Sequence, residues 1–227
     1  MGNPSPMLLI CRKDLKQEFR TRESLTATFF FALLVQLIFA FAFDFLDLGL
    51  GFADIGAGVI WITLTFSALL SLQHSFLIER ERDCLQALAL CPVDPSSIFL
   101  GKLLANIALV LLVQLLILPL SALFFGYDLS AAAVPVGLVV VVNAVGFSAL
   151  GTLFAAMTAQ TRRSELLLPL LLFPAATPLV IWGVKATRLC LAGRRPEAYG
   201  YLVALSACFD VIFIVVGVLL FDYILEE

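Results

Sequence analysis

"LLANIALVLLVQLLILPLSALFFGY", residues 103–127, contains no Asp, Glu, Lys, Arg or His. Coiled as a helix at about 1.5 Å per residue, it is longer than the roughly 30 Å hydrocarbon core of a bilayer. Stretches 24–43, 55–78, 129–161 and 166–184 are likewise free of Asp, Glu, Lys and Arg, and 199–221 carries only Asp210. These runs are solid rather than alternating, which argues against barrel strands. Within lipid every backbone amide needs an internal partner, so each run is expected to be a helix.

Composition agrees. Only 14% of the 227 residues are charged, against about 25% in soluble domains, and mean hydropathy is +1.06. The expected fold is an all-α polytopic membrane protein, a single domain over 1–227. Its spans are expected at 24–44, 55–78, 95–125, 130–159, 165–184 and 199–222. The fifth should be broken or bent, because Pro169, Pro174 and Pro178 each remove a backbone hydrogen bond. Asp94 and Pro95 read as the cap and first turn of the third span. In the fourth, Ala144, Ser148, Thr152 and Ala156 recur every four residues beside Gly146 and Gly151, a face suited to close packing.

Charge sets the expected orientation, since short cytoplasmic loops are rich in Lys and Arg. Arg12, Lys13, Lys16, Arg20 and Arg22, then Arg80 and Arg82, then Arg162 and Arg163 all fall on one side when six spans alternate. Both termini are therefore expected in the cytoplasm. The segment 185–198 dissents: its Lys185, Arg188, Arg194 and Arg195 land outside, as an external basic loop facing headgroups or a partner. Residues 7–22 place Leu8, Cys11, Leu15 and Phe19 at helical spacing, with Arg12, Lys13, Lys16 and Arg20 between them. That pattern suits an interfacial amphipathic helix with its basic residues at the membrane surface. The first apolar run follows a charged segment and lacks a small-residue cleavage site, so no signal peptide is expected.

Motifs for chemistry are sparse. There is no G-x-x-x-x-G-K-[ST] loop for ATP, and no H-E-x-x-H or G-x-S-x-G. Five cysteines without a C-x-x-C pair, and a single histidine, His74, support neither a metal site nor haem attachment. No catalytic residue is assigned, and nothing points to nucleic acid. Asp210 is the exception inside the membrane. A carboxylate there is costly and marks a candidate functional position, although neutralisation or a polar packing contact accounts for it equally well.

The stretch "ERERDCLQALALCPVDP" (79–95) interrupts the apolar pattern between two spans. Glu79, Arg80, Glu81, Arg82 and Asp83 precede a stripe of Cys84, Leu85, Leu88 and Cys91, and Pro92 follows. A short cytoplasmic helix over 79–92 fits, with acids at its positive end. Tied to two spans, it would act as a lever for a protein that grips it, or else rest on the bilayer.

The segments "FLIERERDCLQALALCPVDPSSIFLGKLLAN" (76–106) and "GTLFAAMTAQTRRSELLLPLLLFPAATPLVI" (151–181) resemble the haem exporter B family of cytochrome c maturation. The likeness extends over almost the whole chain. It implies the ABC-2 exporter architecture and a non-catalytic membrane subunit in the bacterial inner membrane. A separate cytoplasmic ABC ATPase would bind ATP and grip 79–92 as a coupling helix. Other membrane subunits and, indirectly, a periplasmic haem chaperone would be partners, with haem as cargo or released on its chaperone. The resemblance leaves open whether a second copy completes the transport unit. Asp83 stands where the family has Gly, and Gln86 where it has an acid. The alternatives are an ABC-2 exporter for a lipid-linked or hydrophobic substrate, and a proton-coupled secondary transporter using Asp210.

Overall fold

The computed structural model describes residues 5–44, 52–81, 94–159 and 164–226. Among them lie seven helices: α1 (Pro6–Thr21), α2 (Glu23–Asp44), α3 (Phe52–Glu81), α4 (Pro95–Phe125), α5 (Leu129–Ala159), α6 (Ser164–Leu191) and α7 (Pro196–Glu226). Six of these, α2 to α7, are long and apolar enough to cross a membrane. The chain is a multi-pass, all-helical membrane protein.

Successive spans alternate in direction, which the two main core clusters make visible. One cluster joins Leu72 late in α3, Phe99 early in α4, Leu153 late in α5, Leu168 early in α6 and Phe221 late in α7, with Ile10 of α1. The other joins Trp61 early in α3, Val136 early in α5, Cys190 late in α6 and Leu202 early in α7. The bundle thus has a first end holding α1, the close of α3, the start of α4 and the close of α7. The opposite end holds the α4–α5 and α6–α7 connections.

Helix α5 packs against α3, α4, α6 and α7. Its four-residue stripe of Ala144, Ser148, Thr152 and Ala156 is buried inside the chain, so the small face serves intramolecular packing. Glycine contributes by what it lacks. A Cβ on Gly151 would strike Leu72, and one on Gly183 of α6 would enter the Trp61 ring. Trp61 is pinned there because its Nε1–H donates to Thr187 Oγ1 at 3.0 Å. By contrast α2 lies at the edge, holding α4 through Ala32 on Val113 and Ile117 and through Gln36 Nε2 donating to the Ile117 carbonyl at 3.3 Å.

Several local readings change. The helix α6 runs unbroken through Pro169, Pro174 and Pro178 rather than breaking in the fifth span. It also continues to Leu191, so Lys185 and Arg188 are helical, and residues 192–195 form the connection expected to span 185–198. Charge does not end a helix; Gly193 does, at φ +64°, with its N–H on the Cys190 carbonyl at 3.0 Å and Arg194 N–H on Leu189. Asp94 precedes α4 without a side-chain capping bond, and Pro95 alone marks the first turn. Asp128 is the carboxylate that caps, accepting from the Ser130 N–H at 2.9 Å at the start of α5.

Gly183→Ala should lower the melting temperature in detergent, because the Trp61 ring cannot yield without losing its bond to Thr187. The expected cost is about 1–3 kcal/mol. Gly58, whose added Cβ would meet nothing within 4 Å, is the control: Gly58→Ala should leave the melt unchanged or slightly raised.

Candidate functional site

At the first end of the bundle α1 is a docked element and not only a surface helix. Its buried side carries Ile10 and Glu18, with Asp14 between them, facing α4. The approach depends on Gly101, where a Cβ would lie 2.8 Å from the Met7 carbonyl oxygen and 2.9 Å from Ile10 Cβ. Beside it, Lys102 is only 2% exposed and its Nζ lies 3.9 Å from Asp14 Oδ2. Lys13 pairs with the other oxygen, Oδ1, at 3.0 Å. Asp14 therefore links a solvent-facing lysine to one inside the bundle.

The remaining surface of α1 is divided. Leu8 and Phe19 are exposed on one strip, and Arg12, Lys13, Lys16 and Arg20 are exposed on the next. Lys13, Lys16, Gln17, Arg20 and Thr21 line a shallow hollow of about 280 Å³. Of the four residues of the expected apolar face, Leu8 and Phe19 are exposed, while Cys11 and Leu15 are half-buried. Burial, and then the neighbouring Asp14 carboxylate, push the Cys11 thiol above its usual range. At Arg22 the chain turns into α2 in a left-handed conformation, φ 55°, with its N–H on the Glu18 carbonyl at 2.8 Å.

The segment expected to couple, 79–92, is flanked in sequence by two helices that meet at this end. Glu79, Arg80 and Glu81 continue the backbone of α3 and do not open a separate helix. Arg82, Asp83, Leu85, Leu88 and Pro92, with most of the 79–92 expectation, lie outside the described residues. What the structure supplies is the frame: α3 ends and α4 begins at the end where α1 is docked.

A polar seam continues inward from Lys102. One turn on, Asn106 Nδ2 donates to Thr152 Oγ1 of α5 at 2.8 Å. On another side of α5, Asn143 Nδ2 donates to the Val139 carbonyl at 2.8 Å, and Ser206 Oγ of α7 donates to Asn143 Oδ1 at 3.3 Å. Asp210, one turn beyond Ser206, is 6% exposed and seated on Gly146, near Leu179 of α6. The amides of Asn106 and Asn143 were not singled out from the sequence. Their signal was available, since an amide in an otherwise apolar span usually bonds between helices. Among the described residues no group of three His, Cys, Asp or Glu side chains could hold a metal ion. An apolar cleft of about 610 Å³ opens between α3 and α6, lined by Ile62, Phe66, Phe173, Pro174 and Thr177 among others.

With this arrangement in view, the relatives are informative. Residues 6–222 match the CcmB protein family. The chain belongs to that family. Curated CcmB-like relatives carry the name heme exporter protein B. The protein of Paracoccus denitrificans is 35% identical over 67% of this chain and 70% of its own length. That of Rhodobacter capsulatus is 31% identical over 60% of this chain, and the aligned part spans 62% of the relative. The Bradyrhizobium diazoefficiens protein is 23% identical over 92% of this chain and 91% of its own length. The CcmB match begins at the start of α1 and ends in the last turns of α7, so the docked helix lies within the family's extent.

Lys102→Met should loosen α1 while leaving the spans inserted. Asp14 keeps Lys13, so the cost should fall below the roughly 3–5 kcal/mol of breaking a fully buried pair. Limited trypsin digestion of the detergent-solubilised chain should then cut within α1 several-fold faster than in wild type.

Proposed function

We propose that this chain is the membrane-spanning, non-catalytic subunit of a haem-export system serving cytochrome c maturation, driven by a separate ATPase. The reading is supported by membership of the CcmB family and by the name its relatives carry, heme exporter protein B. The structural observation that carries it is the convergence, at one end of the bundle, of α1, the close of α3 and the start of α4. A force applied to 79–92 would reach α3 and α4 directly, and α1 through Gly101 and Lys102.

In this reading the first end faces the cytoplasm of a bacterial inner membrane, with both termini inside. ATP binds the partner ABC subunit, which grips Leu85 and Leu88 and meets the charges from Glu79 to Asp83, before the chain turns at Pro92. Arg12, Lys13, Lys16 and Arg20 lie against anionic headgroups on the same side. Haem, free or on its periplasmic chaperone, is cargo rather than a resident group. Further membrane subunits handle it, and a second copy of the chain completes the translocating unit. The chain's own work is mechanical: it converts a push at the cytoplasmic end into displacement of packed helices.

Affinity purification of the tagged chain from membranes should recover a P-loop ATPase. The double substitution Leu85→Glu/Leu88→Glu should abolish that recovery while the chain remains inserted. Undiminished ATPase recovery by the double variant would remove 79–92 from the coupling role.

A further inference from the structure

Asp210 stands near the middle of the span Pro196–Tyr223. It is 94% buried by its 6% exposure, and its Oδ1 has no hydrogen-bond partner among the described residues. Its position is made by Gly146, whose missing side chain leaves the space that the carboxyl fills. The adjoining rung is the Ser206–Asn143 hydrogen bond, in which Asn143 Oδ1 is already an acceptor.

The groups that could compensate a negative charge here can be named from each helix packed nearby. Helix α5 has no titratable residue from Leu129 to Ala159. Helix α6 has none over 166–184; its Glu165 lies at one end, and Lys185 and Arg188 lie exposed at the other. In α4 the only cation is Lys102, held beside Asp14 at the first end of the bundle. Within α7 itself the nearest titratable side chain is Cys208, which is exposed. In α3 the titratable residues are Asp54 in its first turn and His74 and Glu79 to Glu81 in its last turns. No cation therefore shares the depth of Asp210 among the described residues.

We propose that the Asp210 carboxyl, seated on Gly146 between α5 and α7, is an intramembrane proton-binding site. A bare carboxylate buried at that depth without a counter-charge or donor is far costlier than the neutral acid. One proton removes the charge and turns an orphan acceptor into a donor, able to bond a backbone carbonyl or a trapped water. With a single carboxyl and no second acidic group beside it, the site takes a proton rather than a metal ion. It is independent of the ATPase assignment, because it rests only on the packing of α5, α6 and α7.

Infrared spectroscopy of the full chain in lipid nanodiscs tests it. At neutral pH the spectrum should show a carbonyl-stretch band of un-ionised carboxylic acid, shifted by deuterium oxide, and the difference between wild type and Asp210→Asn isolates the contribution of Asp210 from that of the buried Glu18. Asp210→Asn, which is nearly isosteric and uncharged, should lower that band by one carboxyl and keep the helix content and melting temperature of wild type. Absence of the band in wild type overturns the proposal, as does undiminished intensity in Asp210→Asn. Loss of the band when sodium replaces potassium in the buffer would instead make this a sodium site, and also overturns it.

Discussion

Lipid gives two helices no hydrophobic reason to associate, and this bundle depends on how closely others approach α5. The small face of Ala144, Ser148, Thr152 and Ala156 is what permits that approach. Where still more room is needed, Gly146 admits a carboxyl and Gly151 admits Leu72. Around these contacts run a few polar rungs, Asn106 to Thr152 and Ser206 to Asn143, which fix register where dispersion alone would let helices slide. Trp61 and Thr187, packed by Gly183, do the same for α3 and α6.

The same design governs how movement would travel. Where helices are close-packed, displacement of one is passed to the next, since tight packing leaves little room to absorb it. Helix α1 is joined to α4 by a glycine contact and a pair of lysines sharing Asp14, so the surface helix and the start of α4 form one unit. That unit adjoins the segment on which a partner ATPase is proposed to act.

Much of this was legible in the sequence, for identifiable reasons. The spans were readable because each is a run that lipid alone can solvate. The packing face of α5 was readable because four-residue spacing survives in any helix. The end of α6 is hidden in the sequence because Lys185 and Arg188 read as a loop, whereas both simply lie on an exposed side of a continuing helix. Gly193 and Pro196 were the true stop signals. The three prolines of α6 were over-weighted, since a membrane helix can continue past each lost hydrogen bond. Pairings stayed hidden for another reason. Which side chain meets Gly101, Gly146 or Gly183, and that Lys102 faces Asp14, depends on how separate helices meet, and spacing within one helix carries no record of it.

The most direct test of the account is the haem content of cells from which the chain's gene is deleted. Mature c-type cytochromes should disappear from haem-stained membranes and return when the gene is restored, while b-type haem proteins remain at their normal level throughout. A deletion strain with unchanged c-type cytochromes would contradict the proposed role.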